Sequence, residues 1–524
     1  MDAKWLALGM AGLYLTVLAT VGWVLGRRKY DSNQYLNASA AMPVWLCTAA
    51  AIAANCGSLD VVGMMALGAQ YGMAACHFYW IGSIPALLVV AFWLLPAYRR
   101  SGAPTILDFV GRYYGRETRA VVALAMATVM LLIAGVSLCA FAQVVGSFLG
   151  WGFWTAVLVG APLVLFYTWS GGFRATVASD LLYFTLVVVA VAPVVFLVAR
   201  RVGGFHALLA GLPAGRAHVW QGMPLVDTQA PMDVLGVVLG LGVLMSFSFW
   251  ATDFVQMQRA LAVKRHEDAP LLPLGVAGAK LVFSFLIVVP GVAVPLVLRG
   301  HGLDGKWNTA LPRLLQALDS PGWLVVGFLG IGASLLATFS SNVAGFSSAW
   351  VQGVYQEWVR PGATDAHYKR VSRVTVVGAV VLSAGGAGLA LHFASLMEYI
   401  QLVLSTMNAP LFALVLLAML QQGRTGRGGR VGFLSGLGVA VAHQVLVLAG
   451  ALHYGSQMAA NFYGAMLGFA VALGVTAGMG RVWASKRSLE PELTMGERLR
   501  LRPGVVALGV GIAAVTVALN VIFR

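Results

Sequence analysis

Charge is what this sequence has least of. Charged residues fill 10% of its 524 positions, against about 25% in soluble domains, which excludes a water-soluble globular fold. Cysteine is nearly absent as well. The four present (Cys47, Cys56, Cys76 and Cys139) all lie in apolar runs, which excludes a disulfide framework and a zinc site. No small-residue cleavage pattern follows the first apolar run, so a removable leader is not expected. No acid–histidine cluster at metal spacing, nucleophile triad or phosphate loop stands in a loop, and His392 and His443 are isolated. An enzyme is therefore not expected. The longest stretch between apolar runs, about 201–231, is too short for a soluble domain.

What is present is apolar: 59% of the residues are hydrophobic. They gather in about fourteen runs of roughly 20 residues, the length a bilayer core requires. The runs lie near 4–26, 42–70, 74–98, 120–149, 152–170, 175–199, 232–257, 272–298, 320–353, 372–392, 396–421, 431–451, 459–480 and 503–523, numbered here as spans one to fourteen. The expected fold class is thus an all-α integral membrane protein made of one transmembrane domain. With the N-terminus outside, the inner segments hold 25 lysines and arginines and the outer ones 8, Lys280 being the last of the 34. That asymmetry fixes the expected orientation. It also explains the net charge of +15 as topology and lipid-headgroup contact, so nucleic acid is not an expected partner. The last inner loop, about 481–502, reads as an amphipathic surface helix.

Against this apolar background three charges stand out. Asp60, Asp180 and Lys280 lie inside spans, where a charge costs at least a few kcal/mol and normally faces a cavity, a partner or an ion. An ion-coupled transport path is the expected reading, with an internal ion pair as the alternative. Span two is also interrupted, at Ala53-Ala54-Asn55-Cys56-Gly57-Ser58. Span nine carries Ser334, then Ala337-Thr338-Phe339-Ser340-Ser341-Asn342. Small and hydroxyl residues serve helix packing, but a polar break at membrane depth is tolerated only where it is buried or lines a cavity. Unwound carbonyls there are natural sodium ligands.

Five stretches together resemble one family. They are Ala53 to Asp60 with Gly63; Gly171-Gly172-Phe173-Arg174-Ala175 leading to Ser179-Asp180; Trp250-Ala251-Thr252-Asp253 leading to Gln258-Arg259; Lys280 followed by Pro290-Gly291; and Glu398-Tyr399-Ile400-Gln401. In this order they resemble the sodium:solute symporters, which include the sodium/glucose, sodium/proline and sialic acid carriers. The likeness covers roughly residues 5–455. It implies a LeuT-like fold, with five-plus-five inverted repeats at about 42–199 and 232–421 and extra helices at 4–26, 431–451, 459–480 and 503–523.

The resemblance also implies sites. A first sodium site takes oxygens from Ala53 and Cys56 in span two and from Ser334, Ala337 and Thr338 in span nine. Other members often carry two adjacent hydroxyls where this chain has Ala337-Thr338, so one side-chain ligand is missing. A second sodium site matches Asp180, Ser340 and Ser341. For Asp180 alone, a helix cap after Gly171-Gly172 or a salt bridge to Arg174 or Arg259 is the alternative. The solute site matches Asn55, Asp60, Phe249, Trp250, Asp253, Lys280 and Gln401. The glutamate that sugar carriers place in span three is absent, and the region reads His77-Phe78-Tyr79-Trp80. For Trp250 a lipid-facing or packing role, and for Gln401 a helix–helix hydrogen bond, stay open. Asp60 either replaces the missing acid or pairs with Lys280.

The function implied is sodium-coupled import of a small polar solute, sugar-like first, by alternating access. An amino acid, inositol or organic acid, proton coupling, and a non-transporting membrane sensor are the alternatives. The expected partners are the solute, one or two sodium ions and the lipid bilayer, in a cell membrane of bacterial inner-membrane type. A monomer suffices for this function.

Overall fold

The computed structural model describes residue 20, residues 42–482 apart from 299–302, 304, 319–320, 394 and 421–424, and residues 502–524. Expected span one and most of the 481–502 loop lie outside these. Among the described residues the regular elements are all helices, with one isolated bridge pair, Met42 with Val263, and no strand.

Among the described residues eleven helices are long and apolar enough to cross a bilayer, or twelve when one bent pair is counted as a span. Fourteen spans were expected. One of the two missing is span one, outside the described residues. The other is span five: 152–170 and 175–199 form one helical stretch, Phe153–Val202, of 50 residues. Its apolar part Phe153–Leu165 is too short to count alone. The backbone at Gly171-Gly172 stays helical, and Asp180 sits well inside the stretch. It is therefore no helix cap, and that alternative falls.

Span two is broken as expected. Val44–Asn55 and Ser58–Tyr71 are separate helices joined at Cys56-Gly57. Span seven is broken as well. Gly236–Thr252 and Phe254–Leu261 meet at Asp253 with a bend of 55°. Asp253 leaves the helical region (φ −60°, ψ 120°), and its side chain caps the second half by accepting from the Gln256 amide. Asp253-x-x-Gln256 is a capping-box pattern, a signal the span's hydropathy hides.

Burial sorts the helices. The best apolar windows of Leu396–Met419 and Ser58–Cys76 are 83% and 78% buried, while that of Pro503–Ile522 is 22% buried. Spans two and eleven are central, and span fourteen lies at the rim with much of its apolar side chain surface outward. Such surface is stable against lipid tails. Close packing at the centre depends on glycine. A Cβ on Gly291 would lie 2.4 Å from Met65 O, and one on Gly68 would lie 2.7 Å from Val288 O. Spans two and eight therefore cross backbone to backbone, which accounts for Pro290-Gly291. At Gly115 (φ 83°) the long helix Ile106–Leu149 kinks, separating a short first segment from the long apolar one.

Candidate functional site

The two breaks lie beside one cavity. A broken helix exposes carbonyls at the end of its first half and amides at the start of its second, so each break supplies polar groups at membrane depth. The cavity has a volume of ≈ 150 Å³, below the roughly 300–1,000 Å³ of sites for drug-sized ligands and suited to a small solute. All seven expected solute-site residues line it: Asn55, Asp60, Phe249, Trp250, Asp253, Lys280 and Gln401. Residues from spans two, three, seven, eight, nine and eleven thus meet there.

Its charged centre is a three-residue cluster. Lys280 Nζ donates to Asp60 Oδ2 at 3.0 Å. Tyr79 donates its hydroxyl to the same oxygen at 2.7 Å. The ammonium also lies 4.5 Å from the Tyr79 ring centroid, within cation–π range. Lys280 is 2% exposed. Of the two readings of Asp60, the pair with Lys280 is the one present. Asp60 lies in the first turn of Ser58–Tyr71, where the helix dipole favours an acid. Tyr79 was not expected at the site. The span-three region that lacks the family's glutamate supplies a phenol there.

The remaining lining is amphipathic. Trp250 is buried and lines the cavity, so it is not lipid-facing. Its ring meets Phe249 edge to face, with centroids 5.1 Å apart. Gln401 is half-buried, and its amide nitrogen lies 3.7 Å from the Met397 sulfur one turn earlier, a weak acceptor in its own helix. Asn55 Oδ1 and Gln256 Oε1 are buried without a protein hydrogen-bond partner, and both residues line the cavity. Gln256, like Asn342 beside it in the lining, was missed in the sequence. The neighbouring motif residue Glu398 turns elsewhere. It accepts from Gln70 Nε2 (3.0 Å) and Tyr71 OH (2.9 Å), tying the C-terminal end of span two to span eleven.

Three of the oxygens expected at the first sodium site converge beside Gly57. A Cβ built there would lie 2.8 Å from Ala53 O, 3.0 Å from Ser334 Oγ and 3.3 Å from Thr338 Oγ1. Ser334 Oγ accepts from the Ser58 amide at 2.8 Å. Thr338 donates to Ser334 O at 3.2 Å, which leaves its oxygen lone pairs for an acceptor role. This is a hard-oxygen donor set of the kind a small cation takes. Cys56 sits in the break itself, its amide donating to Ile52 O at 2.6 Å. Ala337 packs with Ala333 against Leu186, so its side chain adds nothing polar.

The second expected set is arranged otherwise. Asp180 Oδ2 accepts from Arg259 Nη2 at 2.6 Å, and the same nitrogen donates to Ser341 Oγ at 3.2 Å. Ser340 shares a 2.8 Å hydrogen bond with Thr168. Asp180 and Ser341 are therefore brought together, with an arginine between them, and Ser340 turns away. Arg259, counted in the sequence with the inner loop, is 1% exposed.

Two broken spans around a central polar cavity in an all-helical membrane bundle define a secondary transporter of LeuT-like fold. A solved Na+-coupled sialic acid symporter, in a substrate-bound outward-open state, superposes with a TM-score of 0.78 at 14% identity, covering 92% of this chain and 99% of that one. The chain belongs to the sodium:solute symporter family, whose sequence profile matches residues 35–436. It is similar to the sodium/glucose cotransporter of Vibrio parahaemolyticus, 23% identical over 451 residues, 81% of this chain and 82% of the relative. It is also similar to sodium/myo-inositol cotransporter 2 of Rattus norvegicus, 24% identical over 470 residues, 83% of this chain and 69% of that one. The family and these relatives are transporters, not enzymes, and sodium is the coupling ion that the family implies.

Proposed function

We propose that this chain imports a small, uncharged, hydroxyl-rich solute, sugar-like or inositol-like, by symport with sodium. The observation that carries the solute class is the Asp60–Lys280–Tyr79 cluster. Of the three charged residues of the cavity wall, Asp60 and Lys280 satisfy each other and Asp253 accepts from the Gln256 amide, so a charged solute group would have to displace a buried partner. The buried acceptors Asn55 Oδ1 and Gln256 Oε1 call for donors, since an unsatisfied buried polar atom costs about 1–3 kcal/mol. Hydroxyls are such donors, and the indole of Trp250 with the Phe249 ring offers an apolar face. The named sugar and inositol relatives agree with this class.

In this reading sodium binds beside Gly57, held by Ala53, Cys56, Ser334, Ala337 and Thr338. Ala337 contributes its backbone carbonyl. The site spans the break in span two and the middle of span nine, so an ion there fixes the distance between the two halves. That orders Asn55 and Asp60, a few residues away on the solute wall. By reciprocity the solute must tighten sodium by the same factor. The repeats at about 42–199 and 232–421, each with its first span broken, would rock against each other to alternate access. The N-terminus lies outside, the chain sits in a cell membrane of bacterial inner-membrane type, and one copy is sufficient.

A thermal-stability panel tests the reading: neutral sugars, inositols, amino acids and organic acids, each with sodium and with potassium. Stabilisation by a neutral polyol that requires sodium is expected. Stabilisation by a charged amino acid or an organic acid alone would overturn the solute class. Stabilisation indifferent to sodium but dependent on pH would replace sodium with the proton.

A further inference from the structure

A second cavity, of ≈ 240 Å³, lies away from the solute wall, where span three finishes and span eight begins. Leu95, Pro96 and Pro270 give it an apolar side, and Arg99, Arg100 and His266 a basic one. Arg99 Nη2 donates to Val263 O, while its Nη1 is buried without a protein hydrogen-bond partner. The residues beside Val263 hold the start of span two: Met42 N donates to Ala262 O (3.1 Å), and Lys264 N donates to Met42 O (2.8 Å). Arg502 sets the depth of the cavity. It stands immediately before Pro503–Ile522, a helix of 20 residues. That is about 30 Å of helix, the thickness of a bilayer core, so Arg502 lies at headgroup level. Its guanidinium grips Glu267 and Asp268 at 2.9 and 3.0 Å, which brings the 266–270 wall of the cavity to the same level.

We propose that this cavity binds one anionic phospholipid, with its phosphate on Arg99, Arg100 and His266 and its glycerol end against Leu95, Pro96 and Pro270. A lipid presents its phosphate at this depth and carries apolar surface next to it, which a free anion lacks. A guanidinium is shaped for phosphate oxygens, and Arg99 Nη1 is a buried donor that gains from an acceptor. The charge balance selects an anionic headgroup. Residues 95–101 and 262–270 with Arg502 hold five bases, Arg99, Arg100, Lys264, Arg265 and Arg502, against two acids, Glu267 and Asp268. Arg502 covers both acids. Such a surplus attracts anionic lipid and repels the ammonium of a zwitterionic one. A phosphate on Arg99 would also reach, through Val263, the stretch that joins the end of broken span seven to the start of broken span two. Bound lipid therefore steadies one end of both broken spans. None of this depends on which solute or coupling ion the carrier uses.

The test is native mass spectrometry of the purified full chain in micelles, titrated with phosphatidylglycerol or with phosphatidylcholine of the same acyl chains. Melting temperature is measured in each lipid and in inorganic phosphate. The wild type is expected to retain one phosphatidylglycerol under conditions that strip phosphatidylcholine, and to melt later with phosphatidylglycerol only. Arg99→Gln/Arg100→Gln is expected to bind phosphatidylglycerol about tenfold more weakly or worse and to lose the rise in melting temperature. Arg100→Gln leaves the Arg99–Val263 contact in place, so it tests the site even where the double variant folds poorly, and it too is expected to bind more weakly. Arg370→Gln/Arg427→Gln removes the same charge from two exposed positions in other loops and is expected to bind like the wild type. Equal retention of the two lipids by the wild type would overturn the proposal. So would an undiminished affinity in Arg100→Gln, or an equal loss in Arg370→Gln/Arg427→Gln, which would mean a general basic surface. A full rise in melting temperature with inorganic phosphate would replace the lipid with a free anion.

Discussion

Removing Lys280 is the sharpest perturbation of the solute wall. Its ammonium lies 3.0 Å from Asp60 Oδ2, and at an effective dielectric of about 20 two unit charges at that distance attract by about 5.5 kcal/mol. Desolvation cancels part of this, so breaking such a pair from one side typically costs ~3–5 kcal/mol. Two features reduce the cost here. The Asp60 side chain retains 13% exposure, and Tyr79 still donates to the same oxygen. Lys280→Met is therefore expected to destabilise the solute-free protein by about 3 kcal/mol, and Asp60→Asn by a similar or smaller amount. In the double variant neither charge is stranded, and its loss should fall short of the sum by ~2 kcal/mol or more. The assay is a denaturant titration in mixed micelles on all four proteins of the cycle, with solute binding measured in parallel. Effects that add within about 0.5 kcal/mol would refute the pairing as an energetic unit. Solute binding is expected to be lost in both single variants and not restored in the double, because both groups also face the cavity.

Three further outcomes follow from the geometry. Thr338→Ala should weaken sodium binding measured without solute by about tenfold or more, from the ~1.5–3 kcal/mol of a polar contact with a charge; unchanged sodium affinity would remove Thr338 from the site. Gly57→Ala places a methyl 2.8 Å from Ala53 O and 3.0 Å from Ser334 Oγ, where the oxygens converge. It should abolish sodium binding in a protein that still elutes as a single species, and normal binding in that variant would put the ion elsewhere. Gln401→Ala should cost one buried hydrogen bond to the solute, ~1–3 kcal/mol or about 5- to 150-fold in affinity, with sodium binding intact. Loss of sodium binding with solute affinity intact would reverse the assignment of the pocket.

Much of this was legible in the sequence because it rests on local chemistry. Asn55-Cys56-Gly57-Ser58 interrupts an apolar run, and the helix breaks there. All seven solute-wall residues meet at one cavity, because the family pattern marks positions rather than contacts. What was hidden depends on distance in space. Tyr79 reads as an ordinary interfacial aromatic until residues 60, 79 and 280 are brought together. The break at Asp253 lacks glycine or proline and shows only as a capping pattern inside a hydrophobic span. The pair of Arg259 with Asp180 was one of the alternatives open in the sequence and is the one present; what the sequence did not show is the full burial of Arg259, since it sits at the end of an apolar run. Spans five and six read as separate because Gly171-Gly172 weakens a helix by propensity, yet the backbone there stays helical.

The most direct test of the central claim is uptake into proteoliposomes holding the purified wild-type chain, with a radiolabelled neutral polyol selected by the stability panel. External sodium is compared with external potassium at equal pH and zero imposed voltage. The account predicts accumulation above equilibrium with sodium outside, collapse when sodium is equal on both sides, and no accumulation with potassium. Accumulation that persists without a sodium gradient and follows an imposed pH gradient would contradict it.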